Sequence, residues 1–116
     1  MMFLSLLFLA AAQPPLSREP FMDEPKAADA FEAQLNCVAK GVFDRREDKR
    51  RASAIAAEVV SVCGPESARL RNALTDVYQR KPQLRSGSQS SDQAAAAYVN
   101  AMNERVEALV LQTRKP

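Results

Sequence analysis

Cys37 and Cys63 are the two cysteines of this 116-residue sequence, and 25 residues separate them. A bond between them would fix the relative position of two distant segments of the chain. Neither cysteine belongs to a C-x-x-C motif, and the sequence contains no histidine, so few ligands are available for a metal ion. We therefore predict a structural disulfide. Free buried thiols, and redox or metal chemistry, are the alternatives.

The charged segment between the cysteines decides whether they can meet, because a disulfide needs Cα atoms closer than about 7 Å. In a hairpin of two antiparallel helices, a turn placed at Asp44-Arg45 would stagger the cysteines by roughly 15 Å. The stagger shrinks if all of 44–51 is the connection and the second helix starts near 49–52. Segment 44–51 contains no apolar residue that needs burial. The closed loop would then stabilise the fold by roughly 3 kcal/mol.

Residues 1–12 form an apolar run that contains no charged side chain. The run is too short to cross a bilayer core, which takes about 20 residues. Small residues at 10–12 suit cleavage before Gln13, so we predict a signal peptide over 1–12 and an exported protein, periplasmic or secreted. No membrane span is predicted in the remaining chain. The alternative is a buried or uncleaved apolar N-terminal helix.

Four of the seven prolines fall in 13–25, which predicts an extended, Pro-rich N-terminal arm over 13–24 and a helical domain over 25–116. Apolar residues then recur at helical spacing in four stretches, with no convincing strand pattern. We predict an all-α bundle of about four helices, with the first two joined as a hairpin by the disulfide. The composition of residues 83–90 predicts a flexible Ser-rich loop. The segment from Ser90 to Gln93 has the spacing of a capping box. The predicted apolar faces are Phe31, Leu35, Val38 and Val42; Ala52, Ile55, Ala56, Val59, Val62 and Cys63; Leu70, Ala73, Leu74, Val77 and Tyr78; and Tyr98, Met102, Val106 and Leu109.

The order Cys37, a charged connection and then IAAEVVSVC, ending at Cys63, resembles short exported bacterial proteins of all-helical, two-cysteine (C-x25-C) type. The resemblance covers about half of the predicted mature chain. It implies a helical fold and an exported location, and it carries no catalytic residues. A more distant likeness, to the periplasmic acid-stress chaperones, is weakened by a different cysteine spacing.

A cluster of arginines, at Arg45, Arg46, Arg50 and Arg51, is the clearest candidate for a contact with an anion or a partner. Lys49 adds a fifth positive charge, but three acidic residues lie in the same segment, so its net charge is only +2. A solvated, soluble connection is the alternative interpretation. The cluster holds no aromatic residue, and the net charge of the whole chain is also only +2, so we expect no nucleic-acid partner.

Catalytic chemistry has little support in the sequence. Without histidine the usual general base is missing, and only three glycines are present, with no phosphate-binding loop. Glu104 and Glu107 are closely spaced carboxylates, a pattern more typical of a solvated helix face than of an acid and base pair. We expect no cofactor and no enzymatic activity. The leading hypothesis is binding of an unknown protein or envelope component through helical surfaces, and the alternatives are an acid- or stress-responsive periplasmic chaperone and an enzyme with an unfamiliar site.

Overall fold

The computed structural model of the protein describes residues 21–116, which are helical with no β-strand. The all-α prediction and the predicted disulfide are confirmed. The predicted signal peptide and residues 13–20 of the predicted arm lie outside the described residues. The helices are α1 (Pro25–Asp44), α2 (Ala52–Val62), α3 (Gly64–Arg80), α4 (Ser91–Glu104) and α5 (Val106–Thr113), with a 3₁₀ turn at Pro82–Leu84.

The disulfide links Cys37, in the middle of α1, to Cys63, the residue between α2 and α3. The two Cα atoms are 5.9 Å apart. This separation is possible because α1 ends at Asp44 and α2 begins only at Ala52, so the charged residues form the connection. Gly41 lies one helical turn after Cys37 on α1, and a Cβ atom at this position would lie 3.0 Å from Val59 Cγ1 of α2. Any larger residue would force the Val59 side chain to shift, so the glycine favours the close approach of the two helices.

The buried side chains form two hydrophobic cores that share α1. The N-terminal half of α1 packs with α3 and α4, and the C-terminal half packs with α2 and α5. The first core consists of Phe21, Ala27, Ala30, Phe31, Leu70, Leu74, Val77, Ala95 and Val99. The second core consists of Val38, Val42, Ala52, Ile55, Ala56, Val59, Cys63, Val106 and Val110.

The chain passes from one core to the other at two short helix breaks. Cys63 separates α2 from α3, and Arg105 separates α4 from α5. The fourth predicted apolar face therefore belongs to two helical segments: Tyr98 and Met102 pack against the first core, whereas Val106 is buried in the second. Each break lies where the packing partner changes, so the cores are built from different pairs of helices around α1.

The start of α4 agrees with its sequence signature. Ser90 accepts a hydrogen bond from the Gln93 backbone N–H at 3.1 Å, and the Gln93 side chain accepts one from the Ser90 backbone N–H at 2.9 Å. These two bonds confirm the predicted capping box. In the preceding loop Gly87 has a φ of +52°, a conformation that favours glycine.

Phe21, the first described residue, falls inside the predicted Pro-rich arm and is buried in the first core. Its ring meets those of Phe31 and Tyr98 edge-on, with centroid distances of 5.6 and 5.4 Å. A turn follows, in which the Glu24 N–H donates to the Phe21 carbonyl. The chain is thus anchored in the core four residues before α1 begins.

The start of α1 is also tied to the end of α3 by ion pairs. Glu24 precedes α1, but its side chain does not cap the helix. The carboxylate instead accepts from Arg80 at 2.7 Å and lies 2.8 Å from Lys81 Nζ. The hydrogen bonds from Arg80 and then Lys81 lower the pKa of Glu24 to about 2.

Within residues 21–116, no helix combines the length and the apolar character that crossing a bilayer requires.

Candidate binding groove

An apolar groove of about 360 Å³ lies between α1 on one side and the α4–α5 pair on the other. It follows the junction of the two cores. The two walls are separate because α4 packs mainly on α3 and α5 mainly on α2, so the backbones of α1 and α4 approach each other closely at few points. The lining residues are Phe31, Gln34, Leu35, Val38, Met102, Arg105, Val106, Ala108, Leu109 and Gln112.

Leu35 shows how the groove departs from the predicted helix faces. The spacing places Leu35 on the apolar face of α1, but its side chain is 43% exposed. Met102 and Leu109, across the groove, are only partly buried against the two cores. Helical periodicity identifies an apolar face correctly, yet it does not say whether another helix covers that face. Here part of the face is left uncovered.

Gln34 is a polar residue set into the apolar wall of the groove. It is fully buried, and its Nε2 donates to Asn103 Oδ1 at 3.2 Å. Its Oε1 accepts no hydrogen bond from the described residues. The Gln34 amide therefore adds a hydrogen-bond acceptor to the lining of the groove.

Arg105 is the one charged side chain among the described lining residues. It occupies the break between α4 and α5 and is exposed. Its guanidinium makes no ion pair or hydrogen bond within residues 21–116. The groove therefore combines apolar walls with a single positive charge.

The predicted arginine cluster is located elsewhere, at the connection between α1 and α2, where two of its members neutralise acidic side chains. Arg45 pairs with Glu58 of α2 at 2.8 Å, and Arg50 pairs with the same carboxylate at 2.9 Å and with Asp48 at 2.7 Å. Arg45 and then Arg50 lower the pKa of Glu58, and Arg50 lowers the pKa of Asp48 to about 2. The structure thus brings Arg45 and Arg50 together, because both pair with the carboxylate of Glu58.

The other two predicted contact residues have different surroundings. Arg46 lies 3.9 Å from the centre of the Phe43 ring and donates to the Phe43 carbonyl oxygen. Arg51 is the exposed residue preceding α2. The C-terminal residues also close on this connection, since the Lys115 N–H donates to the Arg46 carbonyl and Arg114 donates to the Arg50 carbonyl. Much of the hydrogen-bonding capacity of the segment is therefore used within the fold.

Glu66 brings a third potential metal ligand to the cysteine pair. One carboxylate oxygen and the two Sγ atoms lie within 4.8 Å of one another. In the disulfide form the two sulfurs are bonded to each other, so they provide no thiolate ligands. The closely spaced carboxylates Glu104 and Glu107 are both exposed; Glu104 belongs to α4 and Glu107 to α5.

Comparison of the chain with protein-family models, with curated proteins and with solved structures finds no match. The chemistry of the side chains must therefore indicate the function. The groove is the strongest candidate, because it joins an uncovered apolar face, the buried Gln34 amide and an arginine that has no partner within residues 21–116.

Proposed function

We propose that the protein is a non-enzymatic, exported helical protein that binds an envelope component or another protein through the groove between α1 and α4–α5. The observation that carries this proposal is the uncovered apolar wall around Leu35. Apolar surface removed from water contributes about 25 cal/mol per Å², which opposes the entropic cost of association. A ligand that covers this wall would bury apolar surface that the packing of the helices leaves exposed to water.

Several features support the exported location in this proposal. The apolar run over 1–12 ends in small residues suited to cleavage, and disulfides persist chiefly in oxidising compartments such as the periplasm. In an oxidising compartment the Cys37–Cys63 bond would hold α1 and α2 together as a hairpin. That hairpin would keep one wall of the groove in place.

The carboxylates support a binding role rather than a catalytic one. No carboxylate is among the described lining residues of the groove. Glu24, Asp48 and Glu58 are engaged in ion pairs that lower their pKa values. Such groups remain ionised at neutral pH and are poor general acids.

We expect the groove to bind the neutral apolar dye N-phenyl-1-naphthylamine at pH 7, with an increase in its fluorescence. Ala108→Trp should weaken this binding by about tenfold or more, because a Trp side chain would occupy the space lined by Ala108. A fluorescence titration of the two proteins measures the effect.

Ala97→Trp is the matched control. Ala97 is also an exposed helical alanine, but it lies on α4 outside the groove. Binding of the dye to this variant should equal that of the wild type, and circular dichroism should show that both variants are folded. Equal dye binding by both Trp variants would show that the groove is not the site.

An acid- or stress-responsive chaperone is a second candidate, and the ion pairs of Glu24 favour it. They hold the start of α1 against the end of α3, and their strength depends on an ionised carboxylate. Protonation of the 14 acidic residues would leave 16 basic ones uncompensated. The resulting repulsion would loosen the helices and expose their apolar faces.

We expect the stability of the protein to fall as the pH drops from about 4.5 to about 2. Glu24 and Asp48 have lowered pKa values in the folded protein, so their stabilising effect is complete above their usual pKa and is lost as the pH falls through the folded value. Urea unfolding at a series of pH values should show a decreasing midpoint. In Glu24→Gln the midpoint should be lower at pH 7 and should change less with acid.

Glu32→Gln provides the control, since Glu32 is an exposed carboxylate on α1 with no ion pair among the described residues. It should retain the pH dependence of the wild type. A chaperone role also requires that binding of an apolar dye rise over the same acidic range. No such rise at about pH 2–3 would eliminate this second candidate.

A further inference from the structure

We propose that the occupant of the groove is a single-chain fatty acid, with its acyl chain between α1 and α4–α5 and its carboxylate paired with Arg105. This inference rests on the proposed function, since it requires the groove to be a binding site. The shape of the walls, the volume and the charge each argue for this class of ligand.

The walls suit an acyl chain better than an extended peptide. They are formed by helices, whose backbone N–H and C=O groups are largely bonded within the helix, so little remains to pair with a peptide backbone. Most of the lining side chains are apolar. An acyl chain has no polar groups to satisfy and gains from the burial of each methylene.

The volume of the groove suits a ligand with one acyl chain. About 360 Å³ is near the lower end of the range for small-molecule sites and corresponds to a chain of about 12 carbons. A phospholipid with two acyl chains would leave one of them outside. The volume therefore favours an occupant with a single acyl chain.

The charge of the groove determines the head group. Arg105 has no acidic partner in the described part of the chain, and its planar guanidinium can bind a carboxylate through two parallel hydrogen bonds. Its position at the break between α4 and α5 places it beside Val106, whose side chain is buried under the groove. A fatty acid whose carboxylate binds Arg105 could thus place its acyl chain along the apolar wall.

Displacement of N-phenyl-1-naphthylamine by three amphiphiles with the same tail tests the proposal. The probes are dodecanoate, dodecanol and dodecyltrimethylammonium, each below its critical micelle concentration, at pH 7 and low salt. Dodecanoate should displace the dye at a concentration about tenfold lower than dodecanol does, and the cationic amphiphile should be the weakest.

Arg105→Gln should remove the preference for dodecanoate over dodecanol while leaving displacement by dodecanol unchanged. Arg69→Gln is the matched control, because Arg69 is an exposed arginine on α3 outside the groove. It should retain the preference. Equal displacement by dodecanoate and dodecanol in the wild type, or the same loss in both variants, would overturn the proposal.

Two further outcomes are distinct. Failure of the dye to bind the wild-type protein would refute the proposed function together with this inference, whereas dye binding without a head-group preference would refute only the inference. Co-sedimentation of the protein with vesicles containing phosphatidylglycerol, abolished by Ala108→Trp, would identify a membrane lipid as the occupant and would also overturn the fatty-acid assignment.

Discussion

Removal of the disulfide by the double substitution Cys37→Ala and Cys63→Ala should lower the free energy of unfolding by about 3 kcal/mol. The bond closes a loop of 25 residues, and its loss restores the conformational entropy of that loop to the unfolded chain. For a domain of about 100 residues, each kcal/mol lowers Tm by about 4–8 °C, so Tm should fall by about 12–24 °C. Thermal unfolding followed by circular dichroism measures the change.

Chemical reduction supplies the control for this prediction. The wild-type protein in a phosphine reductant should unfold close to the temperature of the double variant, and the reductant should not affect the variant itself. Both cysteines pack near the second core, so a small further loss from the shortened side chains is expected in the variant. A Tm that is unchanged by reduction would contradict a stabilising role of the bond.

Phe21→Ala should destabilise the protein by about 3–5 kcal/mol, although Phe21 precedes the first helix by four residues. The side chain is 2% exposed and packs edge-on against the rings of Phe31 and Tyr98. Its truncation leaves a cavity and removes two aromatic contacts. Urea unfolding at neutral pH measures the loss.

Met22→Ala is the appropriate comparison, because Met22 is the neighbouring residue and is 39% exposed. It should change the free energy of unfolding by less than about 1 kcal/mol. If both substitutions had the same small effect, the segment before α1 would not be part of the first core.

The helices could be predicted from the sequence because they depend on local spacing, and the disulfide because the chain has only two cysteines, with no C-x-x-C motif and no histidine. The apolar residues of each helix recur within one or two turns, and the charged segment between α1 and α2 is visible as a run without apolar residues. The capping box at Ser90 is equally local, since both of its hydrogen bonds join residues three apart.

The division into two cores could not be predicted in the same way. Periodicity assigns Met102 and Val106 to one apolar stripe, but it contains no information on which helix each residue will meet. The break at Arg105 involves neither glycine nor proline, the residues that usually mark such a position. The ion pair of Glu24 with Arg80 could not be predicted for a similar reason, since it joins residues 56 positions apart.

The groove depends on the distances between helices, so it was not foreseen either. One signal for it was present in the sequence. Gln34 interrupts the stripe formed by Phe31 and Val38, three residues after the first and four before the second. A long polar side chain in such a position must find a buried partner or line a cavity. In the structure it does both, through Asn103 and through the groove.

The sharing of α1 between the two cores has a consequence for the order in which the protein can mature. The first core needs residues as far along the chain as Val99, and the second needs Val106 and Val110, from the last described helix. Because synthesis runs from the N-terminus to the C-terminus, α1 would lack some of its packing partners until nearly all of this sequence had been made. Both cores therefore depend on residues from the last part of the sequence, and the described domain acquires its fold as a whole.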